Sequence, residues 1–389
     1  MHLYNSLTRK KESFTPLNRA TVTIYVCGIT PYDTTHLGHA FTYISLDVLI
    51  RYLAHLGYKV IYTQNVTDIN DRDKDILERA KQQNISWRKL AQVSTEKFLQ
   101  DMKNLNWIMP TNYLKASENI DRVIILINKL LENGYAYKIR GSVYFNIEKD
   151  SEYGKLSGFS KEKMLETAKQ FDEGLEDPNK KNPLDITLWL AATKDQPKQI
   201  PVFNSPFGKG RPGWHIECSA MSTSTLGKQI DIHGGGIDLI FPHHEAEIAQ
   251  SEAATGQKPF AKYWIHTGTI FYQGEKMSKS KGNLVLVSDL LKKYSANSIR
   301  WLILSHRHGE NWEFEEKDLK KAETIFTKLI KKIFQNKSSV INKVLWQKFT
   351  NYMNDNLNTP EALRLIIDSV KNGDVHFAKS ALQKLGFIL

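Results

Sequence analysis

The chain has 389 residues, 41% hydrophobic and 24% charged, with two cysteines, a balance that fits a globular protein large enough for two or three domains. Two cysteines exclude a disulfide-built scaffold, and no apolar run reaches the roughly 18 residues of a membrane span. The start, Met1-His2-Leu3-Tyr4-Asn5, has no signal-peptide core, so the expectation is a cytoplasmic protein with reduced thiols.

Residues 22–27 form a β-branched and aromatic run ending at Gly28, the pattern of a buried strand. Helical spacing over 40–56 closes at Gly57, and 59–65 reads as the next strand. Strand, loop, helix and strand in that order predict an α/β fold, a Rossmann-like doubly wound parallel sheet with ligands at the carboxyl ends of its strands. Residues 73–107 read as mainly helical, and 120–131 as an amphipathic helix stopped by Asn133-Gly134.

The pattern changes over 135–213. Residues 142–146 read as a strand, and 172–183, rich in Gly, Pro, Asp, Asn and Lys, as an exposed loop. This region is an insertion between two halves of a nucleotide-binding domain. Strand and loop return over 227–236, helix over 242–254 and strand over 263–267. From 313 onward the spacing is helical, with a break at 337–339 and turns near Thr359-Pro360 and Gly373-Asp374. The expected division is a Rossmann-like domain in two halves (1–115 and 214–290), an inserted connective region (116–213), a linker or stem (291–320) and a C-terminal helical domain (321–389).

Each cysteine sits in a polar motif. Cys27 lies in Tyr25-Val26-Cys27-Gly28-Ile29-Thr30, and Cys218 in Gly213-Trp214-His215-Ile216-Glu217-Cys218. Phe241-Pro242-His243-His244-Glu245-Ala246-Glu247 follows. Buried core thiols are the plainer account of two isolated cysteines. With the His/Glu cluster they look like a metal site assembled from distant segments, although no CxxC spacing is present. His243 and Glu247, four apart, share one helical face, with His244 as the neighbouring alternative ligand.

Two further strings suit a nucleotide. His36-Leu37-Gly38-His39 lies between the first strand and its helix. Gly38 allows close approach of a nucleotide to the backbone, and the two histidines and the helix N-terminus can face phosphate oxygens. Gly274-Glu275-Lys276-Met277-Ser278-Lys279-Ser280-Lys281-Gly282-Asn283 offers mobile lysine charges, Lys276 and Lys279, and the hydroxyls of Ser278 and Ser280. A solvated lysine loop is the competing reading of this second string. The net charge of +11 also suits ATP or RNA, but the lysines are spread along the whole chain.

Taken together, the His36–His39 and Lys276–Ser280 strings resemble the paired signature of class I aminoacyl-tRNA synthetases. Within that class, Tyr25 to Tyr43, Gln64 to Ile69, Gly210 to Met221, Asp231 to Gln250 and Gly274 to Asn283 resemble cysteinyl-tRNA synthetases and the related mycothiol-pathway cysteine ligase. The resemblance implies zinc held by Cys27, Cys218, His243 and Glu247. It implies a cysteine pocket with Gly28, Thr30, Thr67 and Trp214, and Asp238 as partner of the substrate ammonium or of a zinc-bound histidine. It implies ATP, with Mg2+, on His36, Gly38, His39, Gly235, Gly236, Lys276, Ser278, Lys279 and Ser280. His36, His39, Lys276 and Lys279 are then the catalytic groups, stabilising charge as the cysteine carboxylate attacks the α-phosphate.

For the acceptor, the reading favours a small-molecule amine such as glucosaminyl-inositol, with tRNA-Cys as the alternative and a non-catalytic nucleotide- or RNA-binding paralogue as a third. Three features favour the ligase: the chain ends at Leu389, Phe41 stands where tRNA enzymes usually carry arginine, and the loop 177–185 resembles the ligase's insertion. Glu247 and the basic charge point to tRNA. A monomer without a membrane partner is expected.

Overall fold

The computed structural model describes residues 1–32, 35–72, 76–194, 196, 200–277, 281–336 and 342–389. Its centre is a five-stranded parallel sheet in the order Ala261–Thr267, Ile230–Gly236, Thr21–Ile29, Lys59–Val66, Asn112–Lys115. The chain lays down Thr21–Ile29 first and builds outward on one side. It later returns to add Ile230–Gly236 and Ala261–Thr267 on the other. The sheet is thus doubly wound, and its strand order reverses beside Thr21–Ile29, where α/β folds form their ligand crevice.

The helix Leu37–His55 follows the first strand and is buried along most of its length. It ends, as expected, ahead of Gly57, whose φ of +95° is the left-handed conformation glycine tolerates. Its fully buried charged group is Asp47. The Asp47 carboxylate accepts from the Arg300 guanidinium, from Arg51 Nε (2.9 Å) and from the Ile108 amide (2.9 Å). Arg300 also donates to Leu385 O (2.7 Å) and Leu105 O (2.9 Å), tying this helix to the C-terminal segment.

The predicted helical stretch 73–107 contains two helices, Ile76–Gln82 and Trp87–Asn104, with Ser86 capping the second; residues 73–75 lie outside the described residues. Ile120–Glu132 packs its apolar face on an antiparallel sheet of Ala136–Ile139, Ser142–Phe145, Ile186–Ala191 and Gly210–Pro212. The stretch 172–183 departs from its expected exposure: Asn182 is buried and Glu173 and Lys180 are partly covered. Its polar composition is consumed internally, with Tyr144 Oη donating to Asp177 (2.6 Å) and Asn182 N to Asp185 (3.0 Å).

The predicted helix over 242–254 begins instead at Glu245 and runs to Thr255. Before it, 240–244 form a wider turn in which Phe241 has extended backbone angles and Phe241–Pro242 is cis. Proline has no amide hydrogen to donate to a helix, so the entry is irregular. Beyond 290, the helices Ala296–Leu304, Glu316–Gln335, Lys343–Asn354, Thr359–Lys371 and Val375–Lys384 form the helical tail. The Thr359-Pro360 pair starts a helix capped by Asn358, rather than making a free turn; the expected break at 337–339 lies outside the described residues. Among the described residues, no helix is long and apolar enough to cross a membrane.

Candidate active site

The first strand carries Cys27 to the crevice, and the helix Trp214–Leu226 carries Cys218 to the same point. The turn into Glu245–Thr255 supplies His243, and that helix's first turn supplies Glu247. One donor atom from each of these four lies within 4.8 Å of the others. All four are at most 4% exposed. Cys27 Sγ donates to Glu247 Oε1 at 3.1 Å, and His243 Nε2 lies 3.2 Å from that same oxygen. A second overlapping group, Cys27, His233, His244 and Glu247, is equally close. His244 Nε2 is 3.3 Å from Cys27 Sγ, while its Nδ1 meets His266 at 2.7 Å.

Without a cation, this cluster is electrostatically frustrated. Burial, then Cys218 and Glu247, pushes the Cys27 thiol up. Burial pushes the Glu247 carboxyl up to about 8 and lowers His243. Each shift comes from placing groups that would carry charge in a low-dielectric interior. A cation among them reverses that penalty. Two sulfurs, one imidazole nitrogen and one carboxylate oxygen form a donor set that suits zinc and can admit a further ligand.

The cluster borders a cavity of about 620 Å³. Thirteen of the expected site residues line it: Cys27, Gly28, Thr30, His36, Gly38, His39, Thr67, Trp214, Cys218, Gly236, Asp238, His243 and Lys276. Gly28 N donates to Asn65 Oδ1 (2.8 Å), and Asn65 Nδ2 donates to Thr67 Oγ1 (3.1 Å), so one asparagine fixes two pocket residues. Trp214 stacks on His243, with ring centroids 4.3 Å apart, and its other contacts include the Arg72 guanidinium 3.6 Å from its centroid.

The same cavity is lined by His36, Gly38 and His39 of the first nucleotide string and by Lys276 of the second. His36 caps the helix Leu37–His55 by accepting from His39 N at 3.3 Å, and the two imidazoles stack with centroids 3.7 Å apart. His36 therefore stands at the helix cap with its ring beside that of His39. Burial, then His36, lowers His39. Leu37 N donates to Val285 O (2.8 Å), and Val287 N to Thr35 O (2.9 Å), joining the first string to the segment just beyond the second. Lys276 lies in this cavity, while Ser278, Lys279 and Ser280 lie outside the described residues.

Three expectations take a different form. Asp238 is turned to Lys276, Oδ2 to Nζ 2.9 Å, rather than to a histidine of the cluster. Gly235 makes room for His244, whose ring would lie 2.8 Å from an added Cβ. Gly38 likewise accommodates the His36 ring, 2.9 Å from such a Cβ. Sequence reasoning missed His233, which reaches Glu247 Oε2 at 3.0 Å. A histidine between Ile232 and Gly234 in a strand pattern was its one signal. It also missed Glu173, which pairs with Arg72 and lies 2.9 Å from His215 Nε2. Burial would raise this carboxyl, but His215 and Arg72 outweigh it and hold it at about 2.

The family model described as the class I (C) tRNA synthetase catalytic domain matches residues 13–324. The chain belongs to the class I cysteinyl-tRNA synthetase family. It is accordingly an enzyme of ATP-dependent ligase type. A cysteine–tRNA ligase of Dehalococcoides mccartyi is 43% identical over 375 residues, covering 95% of this chain and 79% of the relative. One from Pyrococcus horikoshii is 43% identical, again covering 95% and 79%. Among solved structures, Mycobacterium tuberculosis methionyl-tRNA synthetase in complex with methionyl-adenylate matches with a TM-score of 0.66 at 14% identity, covering 95% of this chain and 88% of that one. That likeness concerns the fold.

These relatives correct one expectation for this synthetase-family chain: they favour the tRNA enzyme over the mycothiol-type ligase. The residues behind that expectation have partners inside the fold. Phe41 is fully buried and packs edge-on against Trp312 at 5.7 Å, so its identity follows core packing. The loop 177–185 likewise bonds to nearby strands, Asp185 accepting from Tyr137 and Asp177 from Tyr144.

Proposed function

We propose that this chain is a zinc-dependent cysteine–tRNA ligase. It activates L-cysteine with ATP and Mg2+ to cysteinyl-adenylate and pyrophosphate, then transfers the cysteinyl group to a ribose hydroxyl of tRNA-Cys. The observation that carries the reading is the convergence of Cys27, Cys218, His243 and Glu247 at one end of the cavity that also holds His36, His39 and Lys276.

Cys27, Cys218, His243 and Glu247 would hold the zinc, which when bound favours the thiolate of a substrate cysteine over the hydroxyl of serine. Gly28, Thr30, Thr67 and Trp214 surround the amino acid and limit its size. Asp238 is the acidic group available to the substrate ammonium, once released from Lys276. His36, His39, Lys276 and, from the second string, Lys279 place positive charge and donors against the phosphates as the carboxylate oxygen attacks and pyrophosphate leaves. Gly38, Gly235 and Gly236 border the nucleotide, with Ser278 and Ser280 donating hydroxyls. The division into 1–115 with 214–290 for catalysis, 116–213 as insertion, 291–320 as stem and 321–389 as helical domain goes with this reading.

The test offers the zinc-loaded protein cysteine and ATP with either tRNA-Cys or glucosaminyl-inositol. Cysteinyl-tRNA is the expected product. Cysteine appearing on the amine alone would refute the tRNA reading.

A further inference from the structure

A zinc ion separates a thiol from a hydroxyl, but not one thiol from another. Homocysteine, one methylene longer than cysteine, offers the cluster the same sulfur ligand. Its rejection needs a wall. Trp214 lines the cavity and stacks on His243 with ring centroids 4.3 Å apart, so its indole stands beside the place of a bound thiol. With the sulfur held at the cluster and the carboxylate turned to the nucleotide, the span between them is fixed. An extra methylene in that span must bulge against its walls.

The groups that hold the indole lie outside the pocket residues named so far. Arg72 Cζ is 3.6 Å from the indole centroid. The guanidinium and the His243 ring are both too close to that centroid to share one face of it, so the indole is held between them. Phe171 stands beside this stack, its centroid 6.3 Å from that of Trp214 and 6.0 Å from Arg72 Cζ. Arg72 is fixed in turn by an ion pair with Glu173 of the inserted region, and the two side chains are only 13% and 16% exposed. The residue before Arg72 holds the backbone of the same tryptophan. Asp71 Oδ1 accepts from Trp214 N at 3.0 Å, and Asp71 O accepts from Arg211 Nη2 at 2.9 Å. Arginine suits this place because its flat guanidinium can lie on a ring while its edge bonds a carboxylate. Arg72 and Phe171 also line the cavity, so the clamp and the pocket are one structure.

We propose that Arg72 is a positioning residue for amino-acid selection: clamped by Glu173, it fixes the Trp214 indole as the wall that excludes thiol amino acids longer than cysteine. The proposal rests on the zinc-dependent activation of cysteine put forward above and adds the size limit that the metal does not supply.

The experiment measures binding of cysteine and of homocysteine to the zinc-loaded full chain by calorimetry. A non-hydrolysable ATP analogue is present throughout, so that the carboxylate end is confined and no reaction follows. One methylene against a firm wall is worth about 10–200-fold, and the wild type should prefer cysteine by at least about 10-fold. Arg72→Ala should lower that preference about 10-fold while zinc content stays at one per chain. Arg72→Lys keeps a cation without the flat face and should lie between the two. Glu173→Ala should lower the preference in the same direction by a smaller factor, and adding it to Arg72→Ala should change nothing further, because Glu173 acts through Arg72. If Arg72→Ala fails to fold in a thermal melt, Arg72→Lys and Glu173→Ala decide the matter.

A merely structural role, or direct contact of Arg72 with the substrate backbone, weakens both amino acids in equal proportion and leaves the preference unmoved; that result overturns the proposal. So does a wild type that binds the two equally, or a further fall in the double variant. Cysteine binding that is the same with and without zinc overturns the zinc reading and this proposal together. Zinc-dependent binding with an unmoved preference overturns this proposal alone.

Discussion

At Gly28 the first strand passes so close to its neighbour that an added Cβ would lie 1.5 Å from Asn65 O. No rotamer relieves a contact with backbone, so Gly28→Ala must push the two strands apart beside Cys27. The expected cost is about 1–3 kcal/mol in a denaturant melt, with loss of cysteine-dependent exchange. A variant as stable and active as wild type contradicts this account of the position. Cys27 and Cys218 stood out in the sequence as two isolated thiols set in polar motifs beside a His/Glu cluster, while the four-residue set with His243 and Glu247 came from the family resemblance. Glu173 was not, because one carboxylate among the polar residues of 172–183 looks solvated until Arg72 and His215 are seen around it.

Hydrophobic period read the elements well where one face meets the core, as in Leu37–His55 and Ile120–Glu132. It failed at 240–244, where Phe241 is extended, the regular helix starts only at Glu245, and His243 enters the cluster from the turn before it. Nor did it show that Leu37–His55 is anchored from behind by Asp47 and Arg300. Replacing Arg300 with methionine leaves the Asp47 carboxylate buried and short of its main counter-charge. That should cost about 3–5 kcal/mol in a urea melt. A loss below about 1 kcal/mol would show that Arg51 and the Ile108 amide suffice. The same anchor ties the middle of the helix to the last residues of the chain, because Arg300 also binds Leu385 O.

At the scale of the whole molecule, the interior holds many neutral histidines. Burial lowers His233 and His266 to about 3 and, with Arg307, His308 to about 4. In the unfolded chain these groups titrate near about 6.5. Their folded values are depressed, so their contribution to stability is complete above about 6.5 and is lost as pH falls toward the folded values. The metal-free chain should therefore melt at progressively lower temperature between about pH 6.5 and pH 4, and His308→Gln should make that fall shallower. A flat profile would mean that these rings already find protons or water in the native state. The doubly wound fold was readable from strand, helix and strand order. The cues toward a small-molecule acceptor, Phe41 and the 177–185 loop, fall on residues engaged in internal packing and hydrogen bonds.

The most direct measurement of the central claim is cysteine-dependent exchange of pyrophosphate into ATP, made on zinc-loaded, zinc-stripped and Cys218→Ser protein. The account predicts exchange with cysteine and not with serine by the loaded protein. It predicts little exchange after stripping, recovery on adding zinc, and joint loss of zinc and exchange in Cys218→Ser. Exchange that persists at full rate without metal, or that accepts serine as readily as cysteine, would contradict it.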